Sequence, residues 1–349
     1  MEHDLSKITV IIPSYKPDEK LTSTFNGLLD AGFSDICIVD DGGGEAYSDI
    51  FASLAAQREC TLLTHDKNRG KGAAMKTAFA YLADNRPGIH GVITVDGDGQ
   101  HLPCDVLACV EKMYETDSAV LGCRNFKSRD VPPRSKFGNG ITSFVFFAFC
   151  GMKISDTQTG LRAFPARYLK SLAEIGGDRY EYETNMLLEA ANIGMRFEEA
   201  VIHTVYLDNN SASHFDTLRD SVRIYSLILR HAAGKIIGNI LGIAAFALML
   251  SLTGQAFGKF TIAAAAVAAK LLLCVVREII NLAVLRKSSK VSPKTLALSF
   301  AELVISTLLT YAICYLIRTD ITAAETLIKV AADITVFLAA NSLRLKVYK

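Results

Sequence analysis

The sequence predicts an α/β domain on a mostly parallel, Rossmann-like sheet, followed by an all-α domain of four transmembrane helices. Three observations carry this. Short β-branched runs alternate with longer amphipathic stretches up to about residue 230, the rhythm of strands joined by crossover helices. Several of those runs end in polar, glycine-rich loops. From about Gly234 onward apolar runs dominate, in a chain of 349 residues that is 50% hydrophobic. The length suits about two domains, here 1–230 and 231–349.

In order, Ile8-Thr9-Val10-Ile11-Ile12-Pro13 reads as a first buried strand and Ser14-Tyr15-Lys16-Pro17 as its loop. Asp18 to Ala31 has the apolar spacing of an amphipathic helix. Ile36 to Val39 is a second strand, ending in Asp40-Asp41-Gly42-Gly43-Gly44. Cys60 to Leu63 is a third, followed by His65 to Gly72 and a helix through about Leu82. Gly91 to Val95 is the fourth, and Ala119 to Leu121 the fifth. In a parallel sheet the loops after the second, third and fourth strands converge on one edge, where α/β folds bind ligands. Neither common nucleotide fingerprint fits. The glycines near Gly42 lack G-x-G-x-x-G, and Gly70-Lys71-Gly72 lacks the upstream glycine and the Ser/Thr of a P-loop.

The fourth strand delivers Asp96 and Asp98, with Gly97 and Gly99 between and after them. Two alternating carboxylates at a strand end suit a hard divalent cation, Mg²⁺ or Mn²⁺, shared with substrate phosphates. The plainer alternative is a polar turn with two solvated acids.

Beyond the fifth strand come Arg124, Arg134 and Lys136, then a segment with four phenylalanines in the six residues Phe144 to Phe149. That run is too short to span a bilayer and reads as an interfacial helix over about 137–151. Asp156 to Phe164 is a polar turn into a strand. Tyr180 to Ala191 is a helix with Glu181 and Glu183 at its start. A second interfacial helix is expected over about 217–231, with Arg219, Arg223 and Arg230 on its polar side. Four spans follow at about 236–257, 260–285, 296–317 and 324–343. Basic residues before the first, between the second and third, and after the fourth imply an integral, multi-pass membrane protein with the first domain and both termini cytoplasmic. Within the spans, Lys270–Asp333 and Arg277–Glu302 are expected as interhelical pairs. The 8 cysteines are scattered without C-x-x-C, as for reduced core residues. Met1 to Lys7 has no signal-peptide pattern. A net charge of +1 gives no field for nucleic acid, so none is expected as a partner.

Val10–Tyr15, Asp40-Asp41-Gly42, Asn68 to Ala74, Asp96–His101, Asp156–Phe164 and Asn209–Phe215 together resemble glycosyltransferase family 2, most nearly its polyprenyl-phosphate (dolichol-phosphate) sugar synthases. The four spans resemble a GtrA-like membrane domain. The family resemblance implies a GT-A-like fold and metal-dependent transfer of a sugar from a nucleotide-sugar to polyprenyl phosphate, in the presence of membrane lipid. It implies nucleotide-side contacts from Pro13, Tyr15, Asp40, Asp41, Lys71 and Asp96, and a cation at Asp96, Asp98 and Gln100. Lys16-Pro17 stands where the family has Asn-Glu, so the acid at the nucleoside is Asp18 or Glu19; Gly43 replaces a serine.

A lipid phosphate monoester, with a second pKa of about 6, is largely dianionic at neutral pH and attacks without a strong base. The site must then supply cations to hold it, and Arg124, Arg134 and Arg162 are the candidates, Arg219 ranking below them. One-step attack implies inversion. UDP-glucose is the favoured donor, with GDP-mannose also compatible, and a homo-oligomer is compatible too. Two other readings stand beside this one. A processive polysaccharide synthase of the same fold would need a substitute for its Q-x-x-R-W block, since the chain has 0 tryptophans. A lipid-sugar translocator or scaffold would use the soluble half only to bind nucleotide.

Overall fold

The computed structural model describes residues 4–126, 133–147, 153–190, 192–203, 222 and 225–230, and further on 244, 304–306, 308–310, 312–313, 327–333 and 335–336. The chain divides into two compact units, one of 1–143 with 154–227, the other of 144–153 with 228–349.

The first unit holds a seven-stranded sheet. Its strands are β1 (Ile8–Ser14), β2 (Ile36–Asp40), β3 (Cys60–Thr64), β4 (Gly91–Thr94), β5 (Ala119–Arg124), β6 (Arg162–Pro165) and β7 (Phe197–Ile202). They lie in the order β3-β2-β1-β4-β6-β5-β7. All neighbours are parallel except β6, which runs antiparallel to both β4 and β5. The helices are α1 (Glu19–Asp30), α2 (Ser48–Ala55), α3 (Lys71–Asn85), α4 (Pro103–Thr116), α5 (Pro133–Val145), α6 (Leu169–Glu174) and α7 (Glu181–Glu189).

Alternation along β1 divides the core between two faces. Ile8, Val10 and Ile12 pack with Leu21, Phe25, Phe51 and Val106 on one face. Ile11 points the other way, into Ala74, Met75, Phe79, Tyr182 and Met186. Each such fully buried aliphatic or aromatic side chain stabilises the fold by about 1.5–3 kcal/mol relative to its exposed state. Asp18 starts α1 as its N-cap, accepting a hydrogen bond from the Lys20 amide at 2.9 Å.

From β1 the chain steps to β2 and β3 on one side, then returns to place β4 on the other. The carboxyl ends of β1 and β4 therefore flank the point where strand order reverses, the usual ligand crevice of an open α/β sheet.

Four elements have no counterpart in the sequence reading: α2, α4, α6 and β7. Helix α4 opens on Leu102-Pro103 without a side-chain cap. Strand β7 carries Glu198 and Glu199 side by side at an edge, which hides its alternation.

The second unit is described only in short helical pieces. There Lys329 Nζ donates to Ser306 Oγ at 3.0 Å and pairs with Asp333 one turn along its own helix. Asp333 is also the residue expected to pair with Lys270. Lys270, Arg277 and Glu302 lie outside the described residues. So do the expected spans 236–257, apart from residue 244, and 260–285, with much of 296–317 and 324–343. Among the described residues no helix is long and apolar enough to cross a membrane. That finding overturns the expectation of a multi-pass protein with cytoplasmic termini. Residues 133–145 and 225–230 are helical where interfacial helices were expected; Phe144 is exposed and Phe146 is buried.

Candidate active site

A cleft of about 290 Å³ opens at the strand-order reversal. Pro13 to Asp18 form one wall. Asp41, Asn68, Gly70 and Lys71 line its base, and Asp96 to Asp98 with Arg179 and Tyr180 complete it.

Asp41 organises the base. Its carboxylate is 2% exposed and takes two donors on each oxygen. Oδ1 accepts from His65 Nδ1 at 2.7 Å and the Arg69 amide at 2.8 Å; Oδ2 accepts from Asn68 Nδ2 at 3.0 Å and the Gly70 amide at 2.7 Å. An acceptor so fully engaged shapes the loop after β3. Asp40 accepts from the Gly43 amide at 2.7 Å and does not line the cleft. Gly42 follows at φ +72°, where a Cβ would sit 2.2 Å from the Lys67 carbonyl carbon.

The Gly70-Lys71-Gly72 glycines serve packing. A Cβ on Gly72 would lie 2.5 Å from Tyr182 Cβ, and the Ala73 amide donates to the Asp178 carbonyl at 2.9 Å. The first turn of α3 is thereby closed by residues 178–182.

Lys71 reaches into the cleft. Its Nζ lies 2.7 Å from Asp96 Oδ1 and 2.8 Å from Glu183 Oε1. Burial works against the ammonium, but the two carboxylates outweigh it and hold its pKa above the ordinary lysine range. Burial likewise opposes ionisation of Asp96, yet Lys71, with His101, brings its carboxyl down to about 2. Asp96 Oδ2 is backed by Gly160, where a Cβ would stand 2.5 Å away. The Asp96 amide donates to His101 Nδ1 at 3.1 Å.

Asp98 is different. Its Oδ1 accepts from the Gln100 amide at 3.0 Å, and no ion pair reaches it among the described residues. Burial, then the charge of Asp96, pushes its pKa up. Two carboxylates with one residue between them in an oxygen-rich cleft, one of them without an ion pair among the described residues, are a donor set that fits Mg²⁺ or Mn²⁺. A group of three metal-type ligands, Cys104, Asp105 and His203, lies off the cleft. Its Asp105 is engaged by the His203 amide and ring.

The arginines are placed otherwise than expected. Arg124 makes a two-pronged pair with the buried Asp156, Nε to Oδ2 at 2.7 Å and Nη2 to Oδ1 at 3.1 Å. Arg162 is 0% exposed, its guanidinium donating to the Thr159 and Glu183 carbonyls at 2.8 and 2.7 Å. Both already hold protein oxygens, and neither lines the cleft. Arg134 lies on α5 with its side chain outside the described residues, as is Arg219 entirely. The cleft's cations are instead Lys16, Lys71 and Arg179. Lys16 sits at φ +53°, unusual for a residue with a Cβ, over the Tyr15 ring. Neither Lys16 nor Arg179 has a carboxylate partner among the described residues. Of the expected nucleotide-side residues, Pro13, Tyr15, Asp18, Asp41, Lys71 and Asp96 line the cleft, whereas Glu19 turns away as the first residue of α1. Glu183, His101, Gly160 and Arg179 were not singled out as site residues. His101 and Gly160 fall within the Asp96–His101 and Asp156–Phe164 blocks and Glu183 stands with Glu181 at a helix start, whereas Arg179 had no signal of its own.

Residues 9–172 match the family model Glycosyl transferase family 2. That stretch of the chain is similar to this family. The first unit has a GT-A-like fold, an α/β unit with a mostly parallel sheet. The UDP-N-acetylglucosamine–dolichyl-phosphate N-acetylglucosaminyltransferase of Methanococcus voltae is 28% identical over 254 residues, covering 66% of this chain and 98% of that protein. An uncharacterized protein of Methanocaldococcus jannaschii is 27% identical over 234 residues, covering 66% of this chain and 94% of its own. The crystal structure of mannosyl-3-phosphoglycerate synthase from Rubrobacter xylanophilus aligns with this chain at a TM-score of 0.50 and 14% identity, covering 66% and 73% of the two chains. That last likeness is one of fold.

Proposed function

We propose that the transferase domain moves a sugar from a nucleoside-diphosphate sugar onto the phosphate of a polyprenyl phosphate, with inversion at the anomeric carbon. The observation that carries this is the meeting of Asp96 and Asp98 with Lys71, Lys16 and Arg179 in one cleft. Carboxylates for a cation, and in Lys16 and Arg179 cations without a carboxylate partner among the described residues, are what a diphosphate leaving group requires. The dolichyl-phosphate transferase of M. voltae supports a uridine donor and a lipid-phosphate acceptor.

In this reading the wall from Pro13 to Asp18 takes the nucleoside, and the Asp41-ordered loop fixes the base of the cleft. Asp96 and Asp98, with Gln100 beside them, would hold Mg²⁺ or Mn²⁺. When bound, such a cation supplies Lewis-acid neutralisation of the departing diphosphate. Lys16 and Arg179 contact phosphate oxygens. An acceptor phosphate oxygen forms the new bond to the anomeric carbon as the bond to the donor's diphosphate oxygen breaks, and the nucleoside diphosphate leaves. The dianionic acceptor brings no proton to that step, so no general base is required of the chain.

The test is nucleoside-diphosphate release by the purified full chain with UDP-glucose, UDP-N-acetylglucosamine or GDP-mannose, with and without detergent-dispersed polyprenyl phosphate. Release that depends on the acceptor supports the reading. Nucleotide binding with no acceptor-dependent release favours a binding or scaffold role instead.

A further inference from the structure

We propose that Lys71 is a built-in counter-ion of Asp96, which yields that carboxylate to a divalent cation while remaining paired with Glu183. This rests on reading Asp96 and Asp98 as the cation's ligands. Glu183 is then a positioning residue that acts through Lys71.

One ammonium serves two carboxylates on separate elements, at 2.7 Å from Asp96 and 2.8 Å from Glu183. The two acids are not equivalent. Asp96 faces the cleft with its side chain 30% exposed, whereas that of Glu183 is 10% exposed on the inner side. Glu183 is also anchored, because its carbonyl accepts from Arg162 Nη1 at 2.7 Å. Arg162 Nε binds the Thr159 carbonyl at 2.8 Å, and the next residue, Gly160, backs Asp96 Oδ2. A closed circuit of contacts therefore fixes both carboxylates relative to each other.

The lysine between them is the piece with freedom to shift, a flexible four-carbon stem carrying a compact charge. A cation arriving at Asp96 and Asp98 meets that ammonium as a like charge on the same carboxylate. Without a second acid, displacing Lys71 would leave a poorly solvated ammonium unpaired, an expensive state. Glu183 provides the place where Lys71 stays. The arrangement also keeps Asp96 ionised and oriented before any cation binds.

Mn²⁺ binding to the full-length protein, followed by the electron paramagnetic resonance of free Mn²⁺ and with no nucleotide or acceptor present, tests this. Asp98→Asn should abolish the site and so locate it. Glu183→Gln should weaken Mn²⁺ binding about three- to tenfold, because Lys71 then has Asp96 as its only partner, and Lys71→Met should strengthen it by a similar factor. In the Lys71→Met background, Glu183→Gln should have no further effect. Lys71→Gln repeats the cycle should the methionine variant fail to fold, and Glu183→Asp should recover part of the affinity.

A Glu183→Gln effect that persists undiminished without Lys71 would overturn the proposal, since Glu183 would then act as a simple nearby charge. So would a Glu183→Gln protein that binds Mn²⁺ like the parent. Mn²⁺ binding that survives Asp98→Asn would overturn both this and the cation reading. Because no sugar donor enters the experiment, a chain that fails to transfer sugar leaves its result standing.

Discussion

Asp96 Oδ1 at the end of β4 lies 2.7 Å from Lys71 Nζ in the first turn of α3, while Asp98, two residues on, has no cation of its own among the described residues. The inequality decides what each acid does. Asp96 is held ionised and oriented by the protein, and Asp98 is left with charge to offer a ligand. Asp98→Asn is therefore expected to keep the fold and lower transfer about 100-fold or more, the loss of several kcal/mol of charge stabilisation. Thermal melting, and turnover at an Mn²⁺ concentration that saturates the parent protein, check the two halves of that statement.

Asp41→Ala should act on stability first. It removes an acceptor for four donors, of which the His65 ring and the Gly70 amide are buried. Unsatisfied buried donors cost about 1–3 kcal/mol each, so a loss of about 3 kcal/mol is expected in urea unfolding. A stability change below about 0.5 kcal/mol, within the usual range for surface substitutions, would show that the loop after β3 does not depend on this carboxylate.

Arg124→Ala should also destabilise, by about 3–5 kcal/mol, because it strands the fully buried Asp156 without its two-pronged partner. Arg179→Ala should leave stability nearly unchanged and weaken nucleoside-diphosphate binding instead. Calorimetric titration of both variants distinguishes a structural arginine from a ligand-facing one.

Thiol chemistry gives a pH-dependent check on the core. Burial pushes the thiols of Cys37 and Cys109 up to about 12, so both stay protonated and unreactive at pH 8. Cys104 is exposed in the first turn of α4. Peptide mapping after iodoacetamide treatment of the folded protein should find Cys104 alkylated and Cys37 and Cys109 intact. Reaction at Cys37 should appear only as pH approaches that raised value or the fold opens.

Much of this architecture was legible in the sequence. The strand ends at Ser14, Asp40 and Thr94 follow from short β-branched runs bounded by glycine and acidic residues, a local signal that needs no tertiary context. The D-x-D at Asp96 and Asp98 was visible for the same reason. The arginines were not readable. Whether a guanidinium faces ligand or protein depends on which carboxylates and carbonyls the fold brings to it, and Asp156 is 32 residues from Arg124. Glu183 stood out only as a helix-start acid, because its partnership with Lys71 spans the long connection between α3 and α7. The antiparallel insertion of β6 between β4 and β5 was likewise hidden, since a strand of four residues carries too little pattern to reveal its direction.

The most direct measurement is mass spectrometry of the lipid fraction after the purified full chain is incubated with a UDP-sugar, Mn²⁺ and polyprenyl phosphate. The expected result is a product heavier than the acceptor by one glycosyl residue, formed by the parent protein and absent with Asp98→Asn. Acceptor recovered unchanged across the donor panel, from protein shown to bind UDP and Mn²⁺, would contradict glycosyl transfer to a lipid phosphate.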